Sequence, residues 1–349
     1  MVEAAAALQE RDVHRDPAGR WIVRPYQPGD EVRILDLFRR VFNVERSLDH
    51  WRWKFLDNPA GRHWIRLAET PSRELVGHYA VLPVRMAWGE ETAVFIQVVD
   101  VMVDPSFRRG LRRPGLFSVL ANRSIADFGG PGKASVGYGF PTPEALRIGG
   151  RVAGYTPLHP VVRLVRDLRQ GERRRPAWSD RGVRIEEVDR YGEAIDRLWE
   201  RMRSELGVAA VRDTRYLNWR YADCPDVRYR MLAAFNRLTG APAGMAVLRL
   251  GVRGERLAAL VDWLVPGRTT TTTAGALLRR CEAAAREAAM DRLDAWFPPY
   301  SMPHHLFLEF GFRTDVTIYE LVALPLSAGV SLDGLKERWY YTMGDSDIY

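Results

Sequence analysis

At 349 residues with 46% hydrophobic content, the chain is long enough for about two domains, each with its own core. Lys+Arg exceed Asp+Glu by 51 − 44 = +7, yet lysine occurs only at Lys54, Lys133 and Lys336 and the arginines are spread along the chain, so nucleic acid is not the expected partner. Cys224 and Cys281 are too few for a disulfide framework and lack zinc spacing, no apolar run reaches the ~18 residues of a membrane span, and charges stand where a signal peptide needs an apolar core; together these predict a soluble cytoplasmic protein without a metal and without membrane insertion.

Residues 1–19 read as a disordered lead-in. "WIVRPY" at Trp21–Tyr26 is a strand, and "PGDEVRILDLFRRVFN" places Val32, Ile34, Leu35, Leu37, Phe38, Val41 and Phe42 at helical spacing after a Pro-Gly-Asp start. "HWIRLAE" and "LVGHYAVLPVRMAW" form a β-meander, followed by a long strand over 93–103. That strand runs into a turn crowded with Arg108, Arg109, Arg112 and Arg113, then into the helix "GLFSVLANRSIADFG", closed by Gly129 and Gly130. The strand "ASVGYGF" and a short helix ending at Gly154 complete the set.

This order of elements occurs twice. "WKFLDNP" (Trp53–Pro59) returns as "WRYADCP" (Trp219–Pro225). "VVDVMVDP" ending at Pro105 returns as "LVDWLVP" ending at Pro266, matching Asp100 with Asp262. "YGFPTPEALRIGGRVAGY" returns as "AWFPPYSMPHHLFLEFGF", and the intervals Pro141 to Gly154 and Pro298 to Gly311 are both 13. Three matches in register argue for a duplicated domain. The expected organisation is 20–165 for the first domain, an Arg-rich linker over 166–182, and 183–349 for the second. The fold class is α+β: two tandem domains, each a mixed, mostly antiparallel sheet flanked by helices.

The strand-turn-helix at 98–120 has a physical reading of its own. The first N–H groups of a helix lack intrahelical partners and sit at the positive end of its dipole, so such a turn can cradle a pyrophosphate, and arginines add charge-assisted contacts. A merely solvated turn is the alternative.

With "VRPYQPGDEVRILDLFRRVF", "VMVDPSFRRGLRRPGLFSVL" and "YGFPTPEALRIGGRVAGY" in this order, the chain resembles the GNAT (general N-acetyltransferase) superfamily over nearly its whole length, as a tandem pair. The resemblance implies acetyl-CoA or another acyl-CoA as co-substrate. Its loop pattern Arg-x-x-Gly-x-Gly/Ala falls on Arg112, Arg113, Pro114, Gly115, Leu116 and Phe117, with Phe117 departing from it and "RRGL" standing as an insertion. Arg108 and Arg109 are candidates to share the anchoring, and by position the amides of Val101, Met102 and Val103 would bind carbonyl and pantetheine. Copy two has "GRTTTTT" in place of the loop, so the first domain is expected to bind the donor and the second to build the acceptor groove.

Acyl transfer to an amine needs a base and a proton source for the thiolate. Asp100 is one candidate base; its repetition as Asp262 in a copy without the loop favours a structural role instead. The family's acid is often a Tyr of the closing helix, where this chain has Gly149 and Gly150, and Tyr155 is a weak substitute. The tail "KERWYYTMGDSDIY" offers Asp345, Asp347 and a carboxylate at Tyr349, as in family members whose chain end enters the site; a capped turn packed on the second domain is the competing reading. The expected acceptor is an amine of a small molecule, sugar or peptide. Acyl carrier protein or aminoacyl-tRNA as donor, and a non-catalytic binding module, remain rivals. Oligomeric state is open.

Overall fold

The computed structural model describes residues 13–61, 63–108, 115–130, 132–169, 182–267 and 270–349. The chain falls into two compact units, each assembled from discontinuous stretches: Met1–Val84, Val94–Thr156 and Val322–Val330 form unit one, and Arg85–Ala93, Pro157–Leu321 and Ser331–Tyr349 form unit two.

Unit one contains β1 (His14–Arg15), β2 (Ile22–Pro25), α1 (Glu31–Phe42), α2 (Leu48–Phe55), β3 (Trp64–Glu69), most of β4 (Leu75–Trp88) and β5 (Glu91–Val103), α3 (Leu116–Phe128), β6 (Val136–Gly139) and α4 (Pro143–Ala153). Its strands pair in sequence order, antiparallel from β1 to β4, with β5 and β6 parallel. The far edge of β6 is filled by Val322–Pro325, antiparallel. One sheet face packs Leu37, Phe38 and Trp51 of α1 and α2, the other Leu116, Leu120 and Phe128 of α3.

Local chemistry explains the first elements. Arg24 of β2 donates to both Asp30 carboxylate oxygens (2.7 and 2.8 Å) and to Glu69 of β3 (2.8 Å), tying the start of α1 to two strands. Asn43, left-handed at φ 54°, ends α1 and donates its N–H to Arg39 O. Ser47 caps α2 by accepting from His50 N at 3.0 Å.

Unit two repeats the plan with β7 (Thr156–Asp167), β8 (Val183–Val188), α5 (Glu193–Met202), β9 (Val208–Ala210), α6 (Thr214–Leu217), β10 (Tyr229–Asn236), β11 (Pro242–Leu250), β12 (Leu257–Leu264), α7 (Thr270–Glu287), β13 (Arg292–Trp296), α8 (Met302–Glu309), β14 (Arg313–Pro325) and α9 (Leu332–Lys336). Its strand order is β14-β7-β13-β12-β11-β10-β8, in which β12 and β13 are the parallel pair. Asp213 caps α6 through Tyr216 N (2.8 Å), at the same 166-residue offset that relates Trp53 to Trp219.

Three sequence expectations change. The lead-in is shorter than 1–19: His14 and Arg15 pair with Val23 and Ile22, and Asp16 binds Arg20 at 2.8 Å, while residues 1–12 lie outside the described set. The linker does not begin at 166, because β7 runs through Asp167 and Leu168 N bonds Asp291 O at 2.8 Å; residues 170–181 lie outside the described set. A single cut does not separate the domains as 20–165 and 183–349, because the β4–β5 tip pairs with β9 in unit two (Met86↔Ala210) while the end of β14 completes the sheet of unit one.

Candidate functional site

The candidate site is built on the carboxyl end of β5. Val98 faces the α3 side and Val99 the α1–α2 side; then the backbone turns left-handed at Asp100 (φ 48°). Asp100 consequently stays on the α2 side, Val101 packs toward α3, Met102 opposite, and Val103 toward α3 again. A non-glycine residue in this conformation costs about 1–2 kcal/mol, so something must hold it there.

What holds it is a buried cluster. Asp100 Oδ2 accepts from Arg46 Nη1 at 2.5 Å, Oδ1 accepts from Lys54 Nζ at 3.1 Å, and the Asp100 carbonyl accepts from His78 Nδ1 at 2.6 Å. The Arg46 guanidinium lies 3.9 Å from the centroid of the Phe38 ring. Burial opposes the charge on Asp100, but Arg46 and Lys54 outweigh it and hold the carboxyl well below the usual carboxylate range. Burial lowers His78 to about 4, so its ring is neutral near pH 7. Asp100 as general base therefore gives way to Asp100 as anchor: a carboxylate neutralised by two cations has no pull on an ammonium proton.

Three residues before the anchor the pairing of the parallel strands ends. The β5–β6 pairing ends at Gln97↔Tyr138, although β5 continues to Val103. Parted carboxyl ends of parallel strands are where open sheets bind ligands. Helix α3 starts beside this gap at Gly115, which offers no side-chain cap, and a Cβ built there would meet nothing within 4 Å. The N-terminal turn of α3 thus has the make-up of an anion cradle. Arg108 turns back, donating Nε to Val103 O at 2.8 Å. Arg109, Arg112 and Arg113 lie outside the described residues. The side chains of Met102 (1% exposed) and Leu116 (4%) are core, so only their amides are left for a ligand.

The family's helix Tyr has no room here. A Cβ on Gly149 would sit 2.3 Å from Tyr155 Cδ2, because the Tyr155 ring lies directly on that helix turn. Its hydroxyl bonds the Tyr79 hydroxyl, and burial pushes the Tyr155 phenol up to about 12.

Copy two is built differently at the same place. The β12–β13 pairing ends at Leu260↔Ala295. Asp262, the counterpart of Asp100, receives Arg212 Nε on Oδ1 at 2.8 Å and the Tyr221 hydroxyl on Oδ2 at 2.9 Å, and Oδ1 also accepts from the amide of the next residue, Trp263, at 2.8 Å. Arg212 stands to Arg46 at the offset of 166. The tail lies along this strand: Tyr340 Oη donates to Trp263 O (2.7 Å) and Tyr300 Oη to Trp339 O (2.6 Å). Arg212 Nη2 also donates to Asp345 Oδ2 (2.6 Å), which accepts from Thr342 N (2.7 Å) as well. Burial pushes the Asp345 carboxyl up against the pull of Arg212.

The candidate bases of the tail are therefore dispersed. Asp345 is enclosed in a capped turn, Asp347 is exposed, and Tyr349 sets its ring 5.1 Å edge-on to Trp296 while its carbonyl oxygen accepts from Arg220. A cavity of about 360 Å³ opens beside the end of β12, lined by Val265, Gly267, Tyr300 and Met302 with the charged groups of Glu205, Glu337 and Arg338. Among the described residues no group of three or more His, Cys, Asp or Glu is arranged to hold a metal, and no helix is long and apolar enough to cross a membrane.

Sequence reasoning missed Arg46, Lys54 and His78. The shared 166-residue offset of Arg46/Arg212 and Trp53/Trp219 was the available signal.

Comparison with known proteins fits this geometry. Residues 22–148 match the family model described as an acetyltransferase (GNAT) domain. No curated protein matches the chain. Among solved structures, a probable N-acyltransferase from Enterococcus faecalis V583 superposes with TM-score 0.65 at 14% identity, covering 91% of this chain and 75% of its own. A GCN5-related N-acetyltransferase from Anabaena variabilis gives 0.61 at 12% identity, covering 88% and 73%. A tandem GNAT protein from the clavulanic acid biosynthesis pathway gives 0.58 at 16% identity, covering 89% of this chain and 99% of its own. The chain has the tandem GNAT fold, and residues 22–148 match the acetyltransferase (GNAT) domain model.

Proposed function

We propose that this chain, with a GNAT acetyltransferase domain in its first copy, is an N-acyltransferase that moves an acyl group, acetyl in the first instance, from coenzyme A to an amine of a small molecule, sugar or peptide. The observation that carries the reading is the end of β5, unpaired with β6 beyond Gln97 and broken left-handed at Asp100, ahead of the uncapped, glycine-headed α3. In this reading the β5 amides from Val101 to Val103 hold the thioester and pantetheine, and the start of α3 with Arg108, Arg109, Arg112 and Arg113 holds the phosphates.

The donor enters copy one alone. In copy two the amide of Trp263 is already bonded by Asp262. The attacking amine enters neutral, since Asp100 and Asp345 are both bound to arginine, and its lone pair adds to the thioester carbon. The tetrahedral adduct expels the coenzyme A thiolate. The proton shed by the new amide nitrogen and the proton the thiolate needs are exchanged through water, because a phenol at about 12, as Tyr155 has, is a weaker acid than a thiol near 8.5.

Titration calorimetry tests the reading. One acetyl-CoA should bind per chain, and Arg112→Ala with Arg113→Ala should weaken it by about 1–3 kcal/mol in total. Specific retention of a charged tRNA at physiological salt, or of an acyl carrier protein, without acyl-CoA binding would replace coenzyme A as donor. A second reading, a GNAT-fold binding protein without turnover, is favoured by the closure of Tyr155 over Gly149; acyl-CoA binding with no acyl transfer across an amine panel would select it.

A further inference from the structure

The two copies hold the same aspartate in opposite ways. In copy two, Asp262 Oδ1 bonds the amide of its own neighbour, Trp263, at 2.8 Å. In copy one both oxygens of Asp100 point to cations instead, Oδ2 to Arg46 at 2.5 Å and Oδ1 to Lys54 at 3.1 Å. The copies differ in the backbone, left-handed at Asp100 (φ 48°) and not at Asp262, and in what stands opposite Oδ1. Lys54 corresponds, at the 166-residue offset, to Arg220, whose guanidinium in copy two donates to the tail at Gly344 O (3.3 Å) and Tyr349 O. Both aspartates keep the first arginine, Arg46 or Arg212.

We infer that Asp100 and Lys54 act together as a positioning pair for the donor: Lys54 draws the Asp100 carboxylate off the strand, and so leaves the amide of Val101, the counterpart of Trp263, for the thioester oxygen. The inference rests on the proposed acyl-CoA reading of copy one. An aspartate side chain has a short path to the following N–H, as Asp262 shows, and self-bonding of that kind is a favoured local interaction of Asp side chains. An amide bonded by its neighbour's carboxylate is lost to a ligand and is flanked by negative charge, the wrong sign for a carbonyl oxygen that gains charge during attack. With the carboxylate held by Lys54 and Arg46, the local field is instead balanced. His78, neutral and bonded to the Asp100 carbonyl, fixes the peptide plane that carries the Val101 N–H. On this account copy two is closed to a donor by its own side chain.

The test needs no acceptor. Acetyl-CoA labelled with carbon-13 at the thioester carbonyl is bound to the full-length protein and its carbonyl resonance recorded, since a hydrogen bond to the carbonyl moves it downfield. Wild type should shift the resonance downfield. Lys54→Met should abolish the shift while the dissociation constant changes by less than about threefold, because most of the binding comes from contacts that remain. The double variant Lys54→Met with Asp100→Gly, which retains the backbone freedom for φ 48° but removes the carboxylate, should restore the shift. A merely structural role for the pair predicts that the double variant is worse than the single. Binding with an unchanged resonance in Lys54→Met, or no restoration in the double variant, overturns the inference and leaves the donor reading standing. Failure of wild type to bind acetyl-CoA overturns both.

Discussion

His78 shows how one buried side chain sets a pH window. Its ring is fully enclosed, and its native value near 4 lies below the 6.5 of an exposed histidine because burial disfavours the imidazolium. The unfolded chain takes up the proton as pH falls through about 6.5, whereas the native chain does so only near 4. Stability is therefore full above 6.5 and lost progressively between 6.5 and 4, by up to about 3 kcal/mol for this group. Urea unfolding at pH 7.5 and pH 5 should show that loss in wild type, and His78→Gln should reduce it. Equal loss in both proteins would assign the acid sensitivity to other groups. Asp100, held below the usual carboxylate range, adds its own loss only at pH values below 4.

At the scale of elements, the tail is part of the second sheet's polar core. Gly344 is where it comes closest: a Cβ there would stand 2.0 Å from the Tyr221 hydroxyl and 2.8 Å from the Val261 carbonyl. The Val261 backbone cannot yield, so Gly344→Ala should lower stability by about 1–3 kcal/mol, an overpacking cost read as a lower melting temperature. An unchanged melting temperature would mean that the tail does not bind in this way. Most elements were legible in the sequence because their signals are local: the periodicity of α1, the glycine closure of α3 and the repeated Trp53 and Trp219 motifs all come from residues a few positions apart. Helix α2 was not legible because its buried Trp51, Trp53 and Phe55 alternate along the chain rather than follow a helical period, although Ser47 before it is a sound N-cap. The anchor role of Asp100 was only half legible. Its repetition as Asp262 argued against a base, but its partners Arg46 and Lys54 stand about fifty positions away, and no local pattern pairs them. The Tyr155 ring over Gly149 was invisible for a related reason: a glycine reveals a missing side chain, not the neighbour that fills its space.

For the molecule as a whole, the tandem duplication was readable and the exchange of segments between its halves was not. Pairing of β6 with Val322–Pro325 is a contact of very long sequence separation, and neither strand signals its partner by composition. The exchange makes a clear prediction. Residues 1–169 expressed alone would lack the strand that covers β6 and the Leu326 side chain that packs on the α3 core. Residues 182–349 alone would lack the Arg85–Ala93 tip, with its β9 pairing and the Arg85–Asp213 ion pair at 2.7 Å. Each half should be insoluble or poorly ordered by size-exclusion chromatography and circular dichroism, and the two should recover order when produced together. A monodisperse, cooperatively melting first half would show that the strand exchange is dispensable.

The covering of β6 by the end of β14 also sets a clock on the ribosome. Val322 is translated some 180 residues after Gly139, which at ordinary elongation rates is about 10–40 s. Through that interval the emerging first half carries β6 with one edge bare, a template for pairing with any other unfinished chain. It cannot complete its fold until that later segment has emerged. Slow elongation should therefore lower the soluble yield of this protein, and a nascent-chain holdase should raise it.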